Sequence, residues 1–220
     1  MNEIIFLIQA FFAIALVLVS KRLGKEAIFC LIALYAVLAN LFVVKQINIL
    51  GLEVTASDVF SVSSIFALNI LRELFGQEEA SKAIKISFVA LASFFLMAKF
   101  HLLYLPASVD VTHKSFEIIL QHNFRIVASS ILVFFLTQHV DLFLFNTLKK
   151  RLQNRLPVTR MIISVFLSQV FDTTLFSFIG LYGIIASIAN VILFSTIVKC
   201  LSILISSLML KTWIRCYGKI

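Results

Sequence analysis

The 220-residue chain predicts an all-α fold, a polytopic membrane bundle of about seven transmembrane helices. Three observations carry that expectation: an apolar content that no soluble globule could hide, seven apolar runs near spanning length, and basic residues gathered in the gaps between them. Hydrophobic residues make up 61% of the chain and charged ones 14%, against about 45–50% and about 25% in ordinary soluble domains. Mean hydropathy is +1.05. Much of any folded surface must face water, so this composition calls for lipid as solvent. Six glycines and two prolines leave little material for loops.

Crossing the hydrocarbon takes about 20 apolar residues, with a range of about 17–25. The first run, Ile4–Ser20, has neither a basic leader before it nor a small-residue cleavage site after it. It reads as a retained helix rather than a signal peptide. Ala27–Val44 is the second run. The third, Thr55–Phe75, is the most polar, with Ser57, Asp58, Ser61, Ser63, Ser64, Asn69, Arg72 and Glu73. On a helix Asp58, Ser61, Ile65, Asn69 and Arg72 share one stripe, which must face protein or a water-filled cavity rather than lipid. Ile86–Leu105, Phe124–Leu148, Met161–Leu181 and Ile184–Leu210 complete the set. The longest connection, Pro106–Asn123, has room for a short amphipathic turn. Residues 1–220 thus read as one integral membrane domain: an extra N-terminal helix and basic loop (1–26), a core (27–210) and a basic tail (211–220).

A net charge of +8 would suit nucleic acid if it formed a patch. Its placement argues instead for topology signals and lipid headgroup contact, with no nucleic-acid partner. Fourteen Lys and Arg residues fall on one side of the seven-span topology. The opposite side has Lys45, Lys99, Lys114 and Arg125. This bias predicts an outer N-terminus and a cytoplasmic C-terminus in a bacterial cytoplasmic membrane. Cys30, Cys200 and Cys216 lack metal-ligand spacing, as do the four histidines, so no metal or cofactor is expected. Neither H-E-x-x-H nor G-x-S-x-G nor a phosphate-binding glycine loop occurs, which weighs against an enzyme.

The informative residues are polar groups deep in apolar runs. FLTQHVDLFLF (Phe135–Phe145) and FLSQVFDTTLF (Phe166–Phe176) form a short internal repeat. In each, Gln and Asp three apart share a helix face. The helical rise places Gln138 and Gln169 level, about 13 Å from the cytoplasmic edge, with Asp141 about 9 Å deep and Asp172 about 18 Å. Those two carboxylates are too far apart to share a proton, which disfavours an aspartate-based intramembrane hydrolase. Lys199 of the last run lies about 16 Å deep, a candidate partner for Asp172. A charge at such depth costs at least about 2.5–3.5 kcal/mol, so a stabilising or functional partner is expected. A buried salt bridge for structure alone is the plain alternative. A planar solute with several donors and acceptors suits these groups: Asp accepts paired N–H bonds, while Gln and Asn meet a carbonyl edge. Protonatable carboxylates at depth are also compatible with proton coupling.

On these residues the chain resembles the bacterial queuosine-precursor transporter family, also described as vitamin-uptake transporters. The resemblance spans roughly Asn40 to Lys199. It rests on LNILRELFG (Leu68–Gly76), Arg125 with TQHVDLFLFNTLKKR (Thr137–Arg151), SQVFDTTLF (Ser168–Phe176) and a lysine in the last helix. It implies import of a 7-deazaguanine base: preQ0, preQ1 or queuine. Asn69, Glu73, Gln138, Asp141, Gln169, Asp172 and Lys199 are then the expected substrate contacts. Asp58 and Arg125 are the expected gating or structural residues, with Glu73 also at the inner mouth. Two departures stand out: Asn69 occupies a place where family members often carry aspartate, and no proline follows Lys199. A membrane subunit binding another vitamin-like heterocycle, energised by a separate ATPase, remains the alternative, and a homo-oligomer is compatible with either.

Overall fold

Within lipid the backbone must satisfy its own hydrogen bonds, so the apolar runs fold as helices. The computed structural model describes residues 1–121, 123–151 and 157–217; the side chains of Arg72, Glu73, Gln138 and Asp141, and those beyond Ile203, are among the ones outside that description. In chain order the helices are α1 (Asn2–Leu23), α2 (Lys25–Phe42), α3 (Asp58–Phe75), α4 (Gln77–Leu103), α5 (His113–Gln121), α6 (Asn123–Arg151), α7 (Pro157–Phe176) and α8 (Ile188–Tyr217). Among the described residues, five stretches are long and apolar enough to cross a membrane: α1, α2, α4, His113–Phe134 and Ile163–Leu181. Asp58–Leu71 of α3 and Ile188–Leu201 of α8 are shorter apolar helices. The protein is a multi-pass membrane helix bundle.

One element departs from the expected run of helices. The third helix starts at Asp58 rather than Thr55, because β1 (Gln46–Ile49) and β2 (Leu52–Thr55) form an antiparallel hairpin with Gln46 opposite Thr55. Its two-residue turn places Leu50 and Gly51 at φ 52° and 79°, the left-handed pair that a tight hairpin of matching twist demands. Four-residue strands are too short to register as an alternating pattern beside long apolar runs. The hairpin is pinned from both sides. Asn2 donates its side-chain amide to the Asn48 carbonyl (2.9 Å), and Leu50 N–H donates to Glu3 (3.2 Å). From the other side Ala186 N–H donates to Gln46 Oε1 (2.8 Å). Val54 and Ile49 are buried against Phe194. The starts of α1 and α8 are therefore tied to one plug.

The loop before α5 is held by Asp110, which accepts from the Thr112 backbone N–H (2.8 Å) and hydroxyl (2.7 Å). Those bonds keep its carboxyl below the ordinary carboxylate range. At the far end of α7 the helix widens into a π-turn, Ser177–Leu181. Gly180 leaves room for a ring there: a Cβ would lie 2.9 Å from Phe176, and the ring would have to shift.

Lipid is as apolar as leucine, so helix association rests on close packing and hydrogen bonds rather than on burial from water. The packing follows that rule. Ala13, Ala67, Ala80 and Ala83 are buried where backbones approach, and Tyr35 donates its hydroxyl to the Ala13 carbonyl (2.7 Å) across α1 and α2. Helix α3 occupies the centre, touching α1, α2, α4 and α8, while α2 packs on α4 and α6 on α7. Lys25 and Glu79 pair at 3.1 Å, joining the starts of α2 and α4 at the end of the bundle opposite the hairpin.

Candidate functional site: a polar chamber beside Asp172

Helix α7 turns inward the face that carries Ser168, Gln169 and Asp172, with Thr173 beside them. Asp172 accepts from Lys199 Nζ of α8 at 3.1 Å and from the Thr137 hydroxyl of α6 at 3.3 Å. Lys199 also donates to the Thr173 hydroxyl at 2.9 Å. The pairing anticipated from helical depths is thus present. Its exposure is uneven: the Lys199 side chain is 10% exposed and that of Asp172 26%. The carboxylate is the more open of the two toward the space beside it.

That space consists of two adjoining cavities of about 250 and 220 Å³. Both are lined by Ser61, Leu68, Ile84, Phe134, Asp172 and Lys199. The smaller adds Asn69, Gln169 and Thr137. The larger adds Asn40, Ser130, Phe88 and Phe176. The α3 stripe read from the sequence faces this chamber through Ser61, Ile65 and Asn69. Phe88 and Phe134 meet edge to face with centroids 4.5 Å apart, giving one wall an aromatic character.

Of the expected contacts, Asn69, Gln169, Asp172 and Lys199 come together here. The side chains of Glu73, Gln138 and Asp141 lie outside the described residues. Asp58 does not line the chamber. It is 4% exposed and accepts a 2.7 Å bond from the Ser195 hydroxyl, one helical turn from Lys199 on α8. Arg125 stands at the hairpin end, where its Nε donates to the Ile179 carbonyl at 2.9 Å. A π-turn breaks the regular ladder and frees such carbonyls, so Arg125 caps an irregular helix end.

Sequence reasoning missed the Asn40–Ser130 pair. Ser130 donates to Asn40 Oδ1 at 2.7 Å, and Asn40 Nδ2 donates to the Ala36 carbonyl at 2.8 Å. The signal was a lone amide inside the apolar α2, but its partner lies 90 residues away. Ser195 was missed as well, since a hydroxyl in a membrane helix usually satisfies itself on its own backbone; Thr173 stood in the SQVFDTTLF motif but without an assigned partner.

Comparison with known proteins bears on what such a chamber serves. Residues 55–213 match the family described as "Putative vitamin uptake transporter". The chain is also similar to the "Probable queuosine precursor transporter" of Bacillus subtilis (strain 168), 32% identical over 172 residues, which cover 78% of this chain and 75% of that protein. No solved structure matches. The family match takes in α3 to α8, every helix that contributes Asn69, Gln169, Asp172 and Lys199. The chain belongs to the vitamin-uptake transporter family.

Proposed function

We propose that the protein imports a queuosine precursor, a 7-deazaguanine base, through the chamber between α3, α6, α7 and α8. The observation that carries this reading is the half-open carboxylate of Asp172, held by Lys199 and facing Asn69 and Gln169 inside a chamber walled partly by phenylalanine. A deazaguanine edge offers adjacent N–H donors, which one carboxylate accepts in parallel, and a carbonyl that an amide or ammonium meets. Each cavity is smaller than the about 300 Å³ at which ordinary ligand pockets begin, which suits a small bicyclic base better than a nucleoside. The relative's name points to the same class of solute.

In this reading Asp172 takes the N–H edge, Gln169 and Asn69 the carbonyl edge, and Lys199 fixes the Asp172 rotamer. Gln138, Asp141 and Glu73 are assigned to the inner half of the path on sequence grounds. The N-terminus and hairpin face outward and the basic end inward, as the fourteen-to-four distribution of Lys and Arg favours. No covalent chemistry is assigned to the chain. The test is a host that can neither make nor import the base, scored by queuosine in its tRNA. Supplying the nitrile base, the amine base and queuine separately should restore the modification for at least one of them. A protein confirmed in the membrane that rescues none defeats the proposal.

A further inference from the structure

Two acids, Asp58 and Asp172, lie along the α8 face that carries Ser195 and one base, Lys199, and that count has a consequence for energy coupling. Lys199 is committed to Asp172 at 3.1 Å and to Thr173 at 2.9 Å. Asp58, almost fully buried, has the Ser195 hydroxyl as its hydrogen-bond partner. Ser195 and Lys199 are four residues apart on α8 and so occupy one face, stacked one turn apart. Among the described residues Lys199 is the charged group whose field reaches Asp58. Among the described residues, the other elements packed on α3 offer no second cation there. From α1 and α2 come apolar side chains around Val59 and Phe60, with the Tyr35 hydroxyl given to the Ala13 carbonyl. On α4, Glu79 pairs with Lys25 and Lys82, Lys99 lies over the Phe95 ring, and Glu78 and Lys85 are exposed near the helix start, at the end of the bundle opposite the hairpin and Asp58.

Buried charges are tolerated when paired. With both acids ionised, the described cluster has one negative charge too many. We propose that Asp58 is the proton-coupling residue of this carrier, taking up one proton with each base imported. The proposal rests on the base-import reading above.

The physics is a competition for one ammonium. With a proton on an Asp58 carboxylate oxygen, Asp58 has no claim on Lys199, which stays on Asp172 and keeps the chamber assembled as observed. When that O–H bond breaks and the proton leaves to the inner water, the Asp58 carboxylate competes for Lys199 one turn away. Lys199 leaves Asp172, the Asp172 rotamer loosens, and the base is released. Proton and base therefore bind with positive coupling, and by linkage each strengthens the other. Asp58 is a positioning residue for Asp172 that does not touch the base.

The experiment uses the purified full chain in proteoliposomes with the neutral nitrile base, whose entry carries no charge of its own. With the membrane potential clamped, an inward gradient of one pH unit is expected to drive about tenfold accumulation, with one proton entering per base. Asp58→Asn keeps an acceptor for Ser195. It is expected to bind the base with an affinity that no longer varies with pH and to exchange labelled base across the membrane, but to lose accumulation. Uptake by the wild-type chain that ignores the pH gradient, or Asp58→Asn that still concentrates the base tenfold, overturns the coupling role while leaving base transport standing. No movement of any of the three bases by the wild-type chain removes the underlying reading and this inference with it. The wild-type gradient measurement stands even if the variant does not fold.

Discussion

The molecule has two kinds of cavity, and they teach opposite lessons about size. Beneath α5 lies a mostly apolar groove of about 870 Å³, lined by Leu41, Phe42, Phe94, Met97 and Phe116 among others, with Lys45 and His101 as its polar members. The polar chamber beside Asp172 is far smaller, about 250 and 220 Å³ in its two lobes. In a soluble protein the larger apolar hollow would be the default site. In a membrane protein an apolar groove facing lipid is ordinary, because acyl chains fill it at no cost. What lipid cannot explain is a carboxylate, an ammonium and three amides around a small chamber. Polarity at depth, not volume, marks the path.

The largest effect that separates the two cavities is expected at Asp172. Asp172→Asn removes the charge that holds Lys199 and should cost about 2–5 kcal/mol in productive binding, a loss of at least about thirtyfold in base uptake. Lys199→Met should lose uptake to a similar degree by freeing the Asp172 rotamer. The double variant sharpens the point. With neither charge left unpaired it should melt above the Asp172→Asn protein in detergent, yet remain inactive in uptake. Uptake near the wild-type level in Asp172→Asn would remove the chamber from the transport path.

That pair was legible in the sequence because helical rise is a reliable ruler. Counting residues from the ends of two apolar runs placed Asp172 and Lys199 at nearly one depth, and they meet. The α3 stripe was legible for the same reason, since a fixed 3.6-residue period decides which side chains share a face. Asp58 lay on that stripe, but its partner Ser195 is 137 residues away and could not be read from spacing. The hairpin escaped because its strands are four residues each and bounded by apolar helices. The Arg125 bond escaped because it depends on a local widening of α7 that nothing in SFIGL announces.

A second comparison runs inside the chamber, between charge and amide. Asn69→Ala and Gln169→Ala each remove neutral donors and acceptors, so each should cost about 0.5–1.5 kcal/mol, raising the half-saturating base concentration about tenfold at most. The maximal rate should change little. Equal loss at Asn69 and Asp172 would mean that the amide does more than meet a carbonyl, and the assigned base orientation would have to be reversed.

Shape supplies a third test. Gly180→Ala would set a Cβ against the Phe176 ring, and Phe176 lines the larger lobe. The expected outcome is a stability loss of about 1–3 kcal/mol from overpacking, read as a lower melting temperature. A modest loss of affinity for the base should accompany it as the ring is pushed toward the chamber. Gly180→Ala that melts lower with unaltered affinity would place the ring's displacement away from the bound solute.

The smallest effect is expected in the larger cavity, and it decides the comparison from the other side. Met97 is 61% exposed and lines the apolar groove. Phe116 stands beside it on α5 with its ring against His101, centroids 5.5 Å apart. Neither offers a donor or acceptor that a purine-like edge could use. Met97→Ser and Phe116→Ser are therefore expected to leave base uptake within about twofold of wild type, the usual range for exposed positions. If either raised the half-saturating concentration tenfold while folding and membrane insertion stayed normal, the groove would belong to the route of the base. Size would then have been the better guide, and the chamber beside Asp172 would be left with the structural role that a buried ion pair can fill.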